Sequence, residues 1–178
     1  EDLVNAVENA KPGDVLTLPA VTYELTEPLT IPSGVTLLGA QAGKPASEWV
    51  NDETAEKTVI KAADGSDRVL KIEQNAGETV TDVVLDGILV DGDNENVKGI
   101  FVKKYDGAAM TGIAIRNCAV IDCGNDGIDV NNTDGAVIEN NYVAGISDNG
   151  IALNSYKNSE GNTAYIRNNV VKNIPGTI

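Results

Sequence analysis

Side chains able to do acid, base or metal chemistry gather in the second half of the chain. The candidate catalytic residues are Asp126, Asp148 and Lys103, because carboxyl and amine groups can donate and accept protons at a reacting centre. Asp126, Asp129 and Asp148 are also the predicted metal ligands, since carboxylate oxygens are among the ligands that calcium prefers. The chain has no histidine, which excludes imidazole general-base catalysis, Ser-His-Asp and Cys-His nucleophiles, and histidine-containing zinc sites.

Aromatic and amide side chains near these residues are the candidate substrate ligands. The candidate substrate ligands, which include one aspartate, are Phe101, Asp129, Asn131, Asn149, Asn154 and Tyr156. Lys103, Asn131 and Asn154 fall in one outward column of the repeat described below. Tyr105 and Tyr156 lie at strand ends. Runs of Asp, Asn and Gly are equally typical of solvated turns, so a purely structural role stays open for the polar residues.

Two alternating series of short strands must position these side chains. The first series reads LDGILV at 85–90, IRNCAV at 115–120, IENNYV at 138–143 and IRNNVV at 166–171. The second series reads GIFV at 99–102, GIDV at 127–130 and GIAL at 150–153. The leading aliphatic residues of the first series are 30, 23 and 28 positions apart. A repeat of this length, without a helical pattern, is typical of a solenoid in which each turn is one structural unit.

The alternation of apolar and polar residues assigns the two faces of each strand. Ile128 and Val130 point to one side, and Asp129 and Asn131 point to the other. Stacking of successive turns about 4.8 Å apart pairs equivalent strands and builds continuous apolar columns. The predicted columns are Ile100, Ile128 and Ile151, and then Val102, Val130 and Leu153. The sequence therefore predicts an all-β solenoid of about six to seven coils.

A column of asparagines follows the first series of strands. Asn117, Asn140 and Asn168 occupy equivalent positions, and Gly87 takes that position one coil earlier. Both residue types tolerate a left-handed backbone, so the column is predicted to be a bend. The amides of these asparagines are further predicted to bond one another along the solenoid axis.

A charged column directly precedes the bend. It consists of Asp86, Arg116, Glu139 and Arg167. Opposite charges on neighbouring strands stabilise a sheet by roughly 0.2–1 kcal/mol per pair. We therefore predict structural ion pairing here, with an arginine acting as a base as the alternative.

The whole chain, 1–178, is predicted to form a single domain. Residues 1–12 are predicted to form an amphipathic helix that caps the first coil, because the apolar residues Leu3 and Val7 share a face. The last residues fall where the next Gly-Ile strand should begin, so the final coil is predicted to be incomplete. Further coils or domains of a longer protein, or a partner, would then cover its edge.

Residues 40–57 break the strand rhythm and are predicted to be a loop excursion. They contain the single tryptophan, Trp49. A hydrophobic clamp on the body of the protein and a platform for stacking sugars are the two interpretations of this side chain.

Composition limits the partners that the protein can have. The formal net charge is −14, which disfavours nucleic acid and anionic membrane surfaces, although an acidic surface also serves solubility. No segment has the length of a transmembrane helix, so membrane insertion is not predicted. Cys118 and Cys123 have neither redox-motif nor metal-ligand spacing and are predicted to be buried without a bridge.

The chain resembles a known superfamily over nearly its whole length. The run LVNAVENAKPGDVLTLPAVTYELTEPLTIPSGVTLLGA at 3–40, followed by TVIKA at 58–62, resembles the N-terminal cap and first coils of pectate-lyase-like right-handed parallel β-helix proteins. That superfamily includes polysaccharide lyases, pectinase-type glycoside hydrolases, alginate epimerases and non-catalytic surface proteins. The resemblance therefore implies a right-handed parallel β-helix and leaves the activity open.

Two coils also resemble the pattern of polygalacturonase-type hydrolases, NTDG-I-D-V followed one coil later by GDDC-I-A-I. Here the equivalent coils read GNDGIDV at 124–130 and GISDNGIAL at 145–153, so Asp126 and Asp148 match two of the catalytic aspartates. The remaining position holds Asn149, which cannot exchange a proton as a carboxyl group does. Inverting hydrolysis needs both an acid and a base, so the match implies at most a degenerate hydrolase.

The resemblance implies a secreted or cell-surface protein that acts on or binds polysaccharide, with acidic, uronate-containing glycans as the expected ligands. A lyase or epimerase would remove the proton next to a carboxylate, with Lys, Arg or Tyr as the base and a cation such as calcium on the acid group. A non-catalytic adhesin or a structural solenoid module is the alternative, which the missing histidines and the Asp148-Asn149 pair favour.

Overall fold

The computed structural model describes residues 3–75, 77–105, 109–154 and 163–172. Helix α1 spans Leu3–Glu8, and the first coil contains β1 (Val15–Thr17), β2 (Thr22–Glu24) and β3 (Leu29–Thr30). The second coil contains β4 (Thr36–Leu38), helix α2 (Ala46–Trp49), β5 (Thr58–Lys61) and β6 (Arg68–Glu73). The third contains β7 (Val80–Thr81), β8 (Val84–Asp86), β9 (Ile88–Asp91) and β10 (Lys98–Lys103).

The later coils repeat this order. The fourth coil contains β11 (Met110–Thr111), β12 (Ala114–Arg116), β13 (Ala119–Ile121) and β14 (Ile128–Asn131). The fifth contains β15 (Ala136–Glu139), β16 (Tyr142–Ala144) and β17 (Ile151–Asn154). The strands β18 (Ala164–Arg167) and β19 (Val170–Lys172) belong to a sixth coil.

Three long parallel sheets run through the described coils. Sheet A has the order β1-β4-β8-β12-β15-β18, sheet B runs from β2 through β5, β9, β13 and β16 to β19, and sheet C has the order β3-β6-β10-β14-β17. Each strand pairs with its equivalents in the neighbouring coils, and the connection between them passes through the other two sheets. Such crossovers between parallel strands are right-handed in about 98% of cases. The fold is therefore the predicted right-handed parallel β-helix.

The predicted apolar columns are confirmed in sheet C. Ile100, Ile128 and Ile151 are register partners in β10, β14 and β17, and so are Val102, Val130 and Leu153. The members of these columns in β10 and β14 belong to one continuous hydrophobic core, which extends through the described coils. Leu153 is 41% exposed because it lies on the last strand of sheet C among the described residues.

The predicted bend is confirmed by the backbone angles. The residues of this column have φ angles in the left-handed region: Gly87 at 70°, Asn117 at 54°, Asn140 at 56° and Asn168 at 55°. Glycine and asparagine are the residues that reach this region at least cost. The repeated asparagine therefore sets the corner between sheets A and B.

The amide ladder along the axis lies one residue later than predicted. The Nδ2 group of Asn141 donates to Oδ1 of Asn169 at 3.0 Å, and also to the backbone carbonyl of Ile115 at 2.9 Å. By contrast, the predicted ladder residue Asn117 donates to Oδ1 of Asp86 at 2.8 Å. The first asparagine of each pair makes the backbone reversal, and the second satisfies backbone groups inside the corner.

The charged column forms the predicted ion pairs. Nε of Arg116 lies 2.8 Å from Oδ2 of Asp86, and Nε of Arg167 lies 2.7 Å from Oε2 of Glu139. These residues are cross-strand partners in sheet A. Ion pairing between coils therefore accounts for the column.

The capping helix exists but is shorter than the predicted 1–12. It spans Leu3–Glu8, and Leu3 and Val7 pack into the hydrophobic core. The chain leaves the helical path before Pro12, where the backbone N–H of Lys11 donates to Oδ2 of Asp14 at 2.7 Å. None of the helices in the described part of the chain has the length and hydropathy needed to cross a bilayer.

The excursion at 40–57 lies against the outside of sheet B. It contains helix α2, and the buried ring of Trp49 packs in a second hydrophobic cluster with Leu89, Ala119 and Tyr142. Nε1 of Trp49 donates to the carbonyl of Lys44 at 3.2 Å. The tryptophan is therefore a clamp on the body of the protein.

The two cysteines are buried and unbridged, as predicted. Burial raises the pKa of the Cys118 thiol from 9.0 to about 12. Burial likewise raises the pKa of Cys123 to about 12, with Asp91 and Asp122 adding to the effect. Both thiols therefore stay protonated near neutral pH and behave as small core residues.

Candidate functional site

The candidate residues meet on the outward face of sheet C, where three polar columns cross the strands. The first column starts with the register pair Arg68 and Lys98. It continues through Asp126, whose backbone carbonyl accepts from the N–H of Gly99. It ends at Asn149, whose backbone carbonyl accepts from the N–H of Gly127. The second contains Lys71, Phe101, Asp129 and Ala152. The third contains Glu73, Lys103, Asn131 and Asn154. Alternation within the strands places the second and third columns on the outward face, whereas the first column lies at the start of the strands and meets the second through Lys98, which contacts Asp126 and Asp129.

A three-residue charged cluster forms the centre of this face. The ammonium group of Lys98 contacts Oδ2 of Asp126 and Oδ2 of Asp129. The two carboxylate side chains are only 6% and 2% exposed, whereas that of Lys98 is 24% exposed. Outward-facing carboxylates are thus covered by a cation from the preceding coil.

The other oxygens of these carboxylates are occupied by amide donors. Oδ1 of Asp126 accepts from the backbone N–H of Asn149 at 3.2 Å and from its Nδ2 at 2.8 Å. Oδ1 of Asp129 accepts from Nδ2 of Asn131 at 2.9 Å and from Nδ2 of Asn154 at 2.8 Å. Asn131, predicted to be outward and exposed, is buried in this network.

The cluster favours the charged forms of Asp126 and Lys98. Burial raises the pKa of Asp126, but hydrogen bonds from Lys98 and Asn149 outweigh it, so the net pKa is below its ordinary value. Burial lowers the pKa of Lys98, but its bonds to Asp126 and Asp129 outweigh this effect and raise the net pKa. An ionised Asp126 cannot act as a general acid at neutral pH, and a protonated Lys98 cannot act as a base.

Asp148 lies at the exposed edge of the cluster. Nδ2 of Asn149 donates to Oδ1 of Asp126 at 2.8 Å and to Oδ1 of Asp148 at 3.0 Å. A single amide group therefore bridges the two carboxylates. Asn149, which holds the position that the hydrolase pattern gives to a further aspartate, serves here as a hydrogen-bond donor to Asp126 and Asp148.

Phe101 carries three cations around its ring. The guanidinium carbon of Arg68 lies 4.4 Å from the ring centroid, and the ammonium groups of Lys98 and Lys103 lie 5.5 and 5.9 Å from it. Cations are attracted to the face of an aromatic ring at such distances. The ring is buried, so Phe101 supports the cations and is not an open stacking platform for a sugar.

Lys103 and Tyr105 form the rim of the face. Nζ of Lys103 lies 4.5 Å from the centroid of the Tyr105 ring. The hydroxyl of the exposed Tyr105 donates to Oε1 of Glu73 at 2.9 Å. Burial, together with this hydrogen bond, raises the pKa of Tyr105, so its hydroxyl is protonated at neutral pH.

The predicted calcium ligands are separated by an ammonium group. Lys98 lies between Asp126 and Asp129, and Asp148 reaches this pair only through Asn149. Within 3–75, 77–105, 109–154 and 163–172, no group of three or more His, Cys, Asp or Glu side chains is arranged to hold a metal ion. Calcium binding stays a prediction. Tyr156 lies outside the described residues.

Two central residues, Lys98 and Arg68, were not among the sequence-predicted site residues. Lys98 precedes Ile100 by two positions, as Asp126 precedes Ile128. Aligning the Gly-Ile strands therefore places Lys98 and Asp126 in one column, which is the signal that could have found the cluster. Arg68 has no preceding Gly-Ile repeat to mark it, since its coil reads RVLKIE.

The fold and this face define a parallel β-helix protein with a cluster of paired charges on one sheet. The chain belongs to the family described as protein of unknown function DUF1565, whose model matches residues 2–177. That family is often associated with right-handed β-helix proteins. No curated protein and no solved structure matches the chain.

Proposed function

We propose that the protein binds an acidic, uronate-containing polysaccharide on the outward face of sheet C, as a secreted or cell-surface member of the pectate-lyase-like superfamily. The observation that carries this proposal is the concentration of cations on two adjacent strands, three of them paired with Glu73, Asp126 or Asp129 and still partly exposed. Arg68 and Lys71 lie on β6, and Lys98 and Lys103 lie on β10. These are four of the 13 basic residues in a chain with a net charge of −14.

The shape of the face favours an extended ligand over a compact one. The cations project from neighbouring strands of a straight sheet, about 4.8 Å apart, and not from the walls of a closed cavity. A polymer with a carboxylate on successive sugar units can lie across such strands and meet more than one cation. Because the field of the whole chain is negative, binding depends on this local patch and weakens as salt increases.

Lyase-like or epimerase-like chemistry on the bound uronate is the catalytic form of this proposal. Lys103 at the rim would then take part in proton abstraction, while Arg68 and Lys98 would hold the acid group. A non-catalytic adhesin is the second candidate. It is favoured by one specific observation, the ion pairing that keeps Lys98 protonated and Asp126 ionised.

Binding can be tested with a matched pair of lysine variants. Lys71 on sheet C and Lys61 on sheet B both have 28% exposed side chains and both face a carboxylate. We expect Lys71→Gln to weaken binding of polygalacturonate or alginate roughly two- to fivefold, the value of an exposed ion pair, and Lys61→Gln to leave binding unchanged. Isothermal titration calorimetry measures both; equal effects of the two variants, or no binding by the wild type, would refute the proposed site.

Turnover separates the enzyme from the adhesin. A lyase forms unsaturated sugar ends that absorb in the ultraviolet, an epimerase changes the uronate composition without cleavage, and a hydrolase releases reducing ends. Incubation with pectate, alginate and glycosaminoglycans, with and without calcium, tests all three reactions. Binding without any of these products would assign the protein to the adhesin class, while Lys103→Gln that binds but loses turnover would support a catalytic rim.

A further inference from the structure

We infer that the acidic ligand binds without calcium, because the ammonium group of Lys98 takes the place of a metal ion between Asp126 and Asp129. This inference rests on the proposed function, since it concerns the same face of sheet C. A calcium site at these aspartates is what the sequence and its superfamily resemblance imply. The residues present do not fit that site.

The oxygens that could face a metal ion are already used. Oδ2 of Asp126 and Oδ2 of Asp129 both contact Nζ of Lys98. Both carboxylate side chains are almost completely buried. A divalent ion could reach this pair of oxygens only by displacing the ammonium group of Lys98.

With Lys98 in place, the neighbouring side-chain amides turn their N–H groups, and not their oxygens, toward the carboxylates. Asn149 donates to Oδ1 of Asp126, and Asn131 and Asn154 donate to Oδ1 of Asp129. Calcium requires six to eight oxygen ligands at about 2.3–2.6 Å. The network instead supplies N–H groups, which suit carboxylates that already have a cation.

The ammonium group of Lys98 is covalently part of the chain, whereas a bound metal ion can exchange with solvent. Lys98 lies at the start of β10, one coil before the aspartates that it contacts. Nearly a quarter of its side chain is exposed, so it can face a carboxylate of the ligand while its inner side is held by the two aspartates.

The decisive experiment uses the wild-type protein in two buffers, one with about 5 mM calcium, above the dissociation constants of roughly 0.1–1 mM of extracellular calcium modules, and one with a chelator. An oligogalacturonate too short to gel with calcium is titrated in each buffer, and thermal melting is recorded without ligand. We expect the same Kd within about twofold and the same Tm. A chelator that abolishes binding, or calcium that raises the Tm of the wild type but not of Asp129→Asn, would overturn the inference.

A second experiment directly tests the contact of Lys98 with Asp126 and Asp129. In Lys98→Gln the two carboxylates lose their cation, so we expect a lower Tm that calcium partly restores, whereas Lys71→Gln should show no response to calcium. A folded Lys98→Gln protein that is indifferent to calcium would count against the exchange of ammonium for metal. If this variant does not fold, the wild-type comparison still decides. Absence of oligogalacturonate binding in both buffers would refute the proposed function, while the melting comparison would still test the inference.

Discussion

Ile128 and Asp129 are neighbours in β14, point to opposite faces of sheet C, and are both buried, with 0% and 1% of their surfaces exposed. Ile128 lies in the apolar core. Asp129 lies on the outside of the sheet, in contact with Lys98 and two asparagines. The outer face of this sheet therefore carries a buried cluster of polar groups that pair with one another.

The two positions should respond differently to substitution. Ile128→Asp places a charge among aliphatic side chains without a partner and should prevent folding, with a loss of more than about 4 kcal/mol. Asp129→Asn keeps the size of the side chain but weakens its charge-assisted bonds, and should cost about 1–3 kcal/mol. Urea unfolding followed by circular dichroism measures both. As a control, substitution of the exposed Asp64 by Asn should stay within about 0.5 kcal/mol.

Equal losses for Ile128→Asp and Asp129→Asn would show that the assignment of faces is wrong. A cost for Asp129→Asn no larger than the Asp64 control would show that the contact with Lys98 contributes nothing in solution. The sequence alternation by itself predicts that Asp129 is dispensable, so this measurement separates the buried outer cluster from a simple solvated face.

The neighbouring asparagines Asn140 and Asn141 should separate backbone and side-chain roles. Asn141→Ala removes the donor to the carbonyl of Ile115 and the acceptor for the N–H of Cys118, and should cost about 1–3 kcal/mol. Asn140→Gly keeps the left-handed angle and should be nearly neutral, whereas Asn140→Ala should cost about 1–2 kcal/mol of backbone strain. Urea unfolding of the three variants tests this order. An Asn141→Ala variant with the unfolding free energy of the wild type would refute a stabilising role for the amide ladder.

The buried thiols should make the protein sensitive to alkali. The pKa of Cys118 is about 12 in the folded chain against an ordinary value of 9.0, so above pH 9 the unfolded chain releases a proton that the folded chain keeps. The unfolding free energy contributed by this thiol is complete below pH 9.0 and falls as the pH rises toward 12, by about 1.4 kcal/mol per pH unit at most. Unfolding measured between pH 8 and 11 should show a shallower decline in Cys118→Ala than in the wild type.

A thiol reagent provides the corresponding check on the native state. Because Cys118 and Cys123 are buried and protonated, neither should react at pH 8 until the protein is unfolded. Rapid modification of both thiols in the folded protein would contradict their burial.

Local alternation and a fixed repeat made much of the fold predictable. The columns of Ile128 and Val130 follow from period-two patterning and from the spacing of the Gly-Ile strands, both of which are visible in the sequence. The bend at Asn140 was also visible, because Gly87 stands at the same position of an earlier coil. The ladder at Asn141 was not visible, because either asparagine of the pair could bond a neighbouring coil. Only the three-dimensional register assigns this bond to Asn141.

The candidate site was less predictable because its contacts join different coils. Lys98 is 28 residues from Asp126 and 31 residues from Asp129, so no short motif contains them. Phe101 shares a column with Asp129, but its coverage by Arg68 depends on how a long side chain folds over the ring. Aligned repeats can show which residues share a column, but not which long side chain reaches across to a neighbouring one.

The excursion that carries Trp49 couples the unfolding of distant coils. It leaves the second coil between β4 and β5, yet the backbone N–H of Ala46 donates to the carbonyl of Asn140 in the fifth coil at 2.9 Å. A solenoid in which each coil touches only its neighbours can fray from one end. A brace between the second and fifth coils links their stabilities, so loss of the terminal strands should be followed by cooperative melting of the braced coils and not by gradual unzipping.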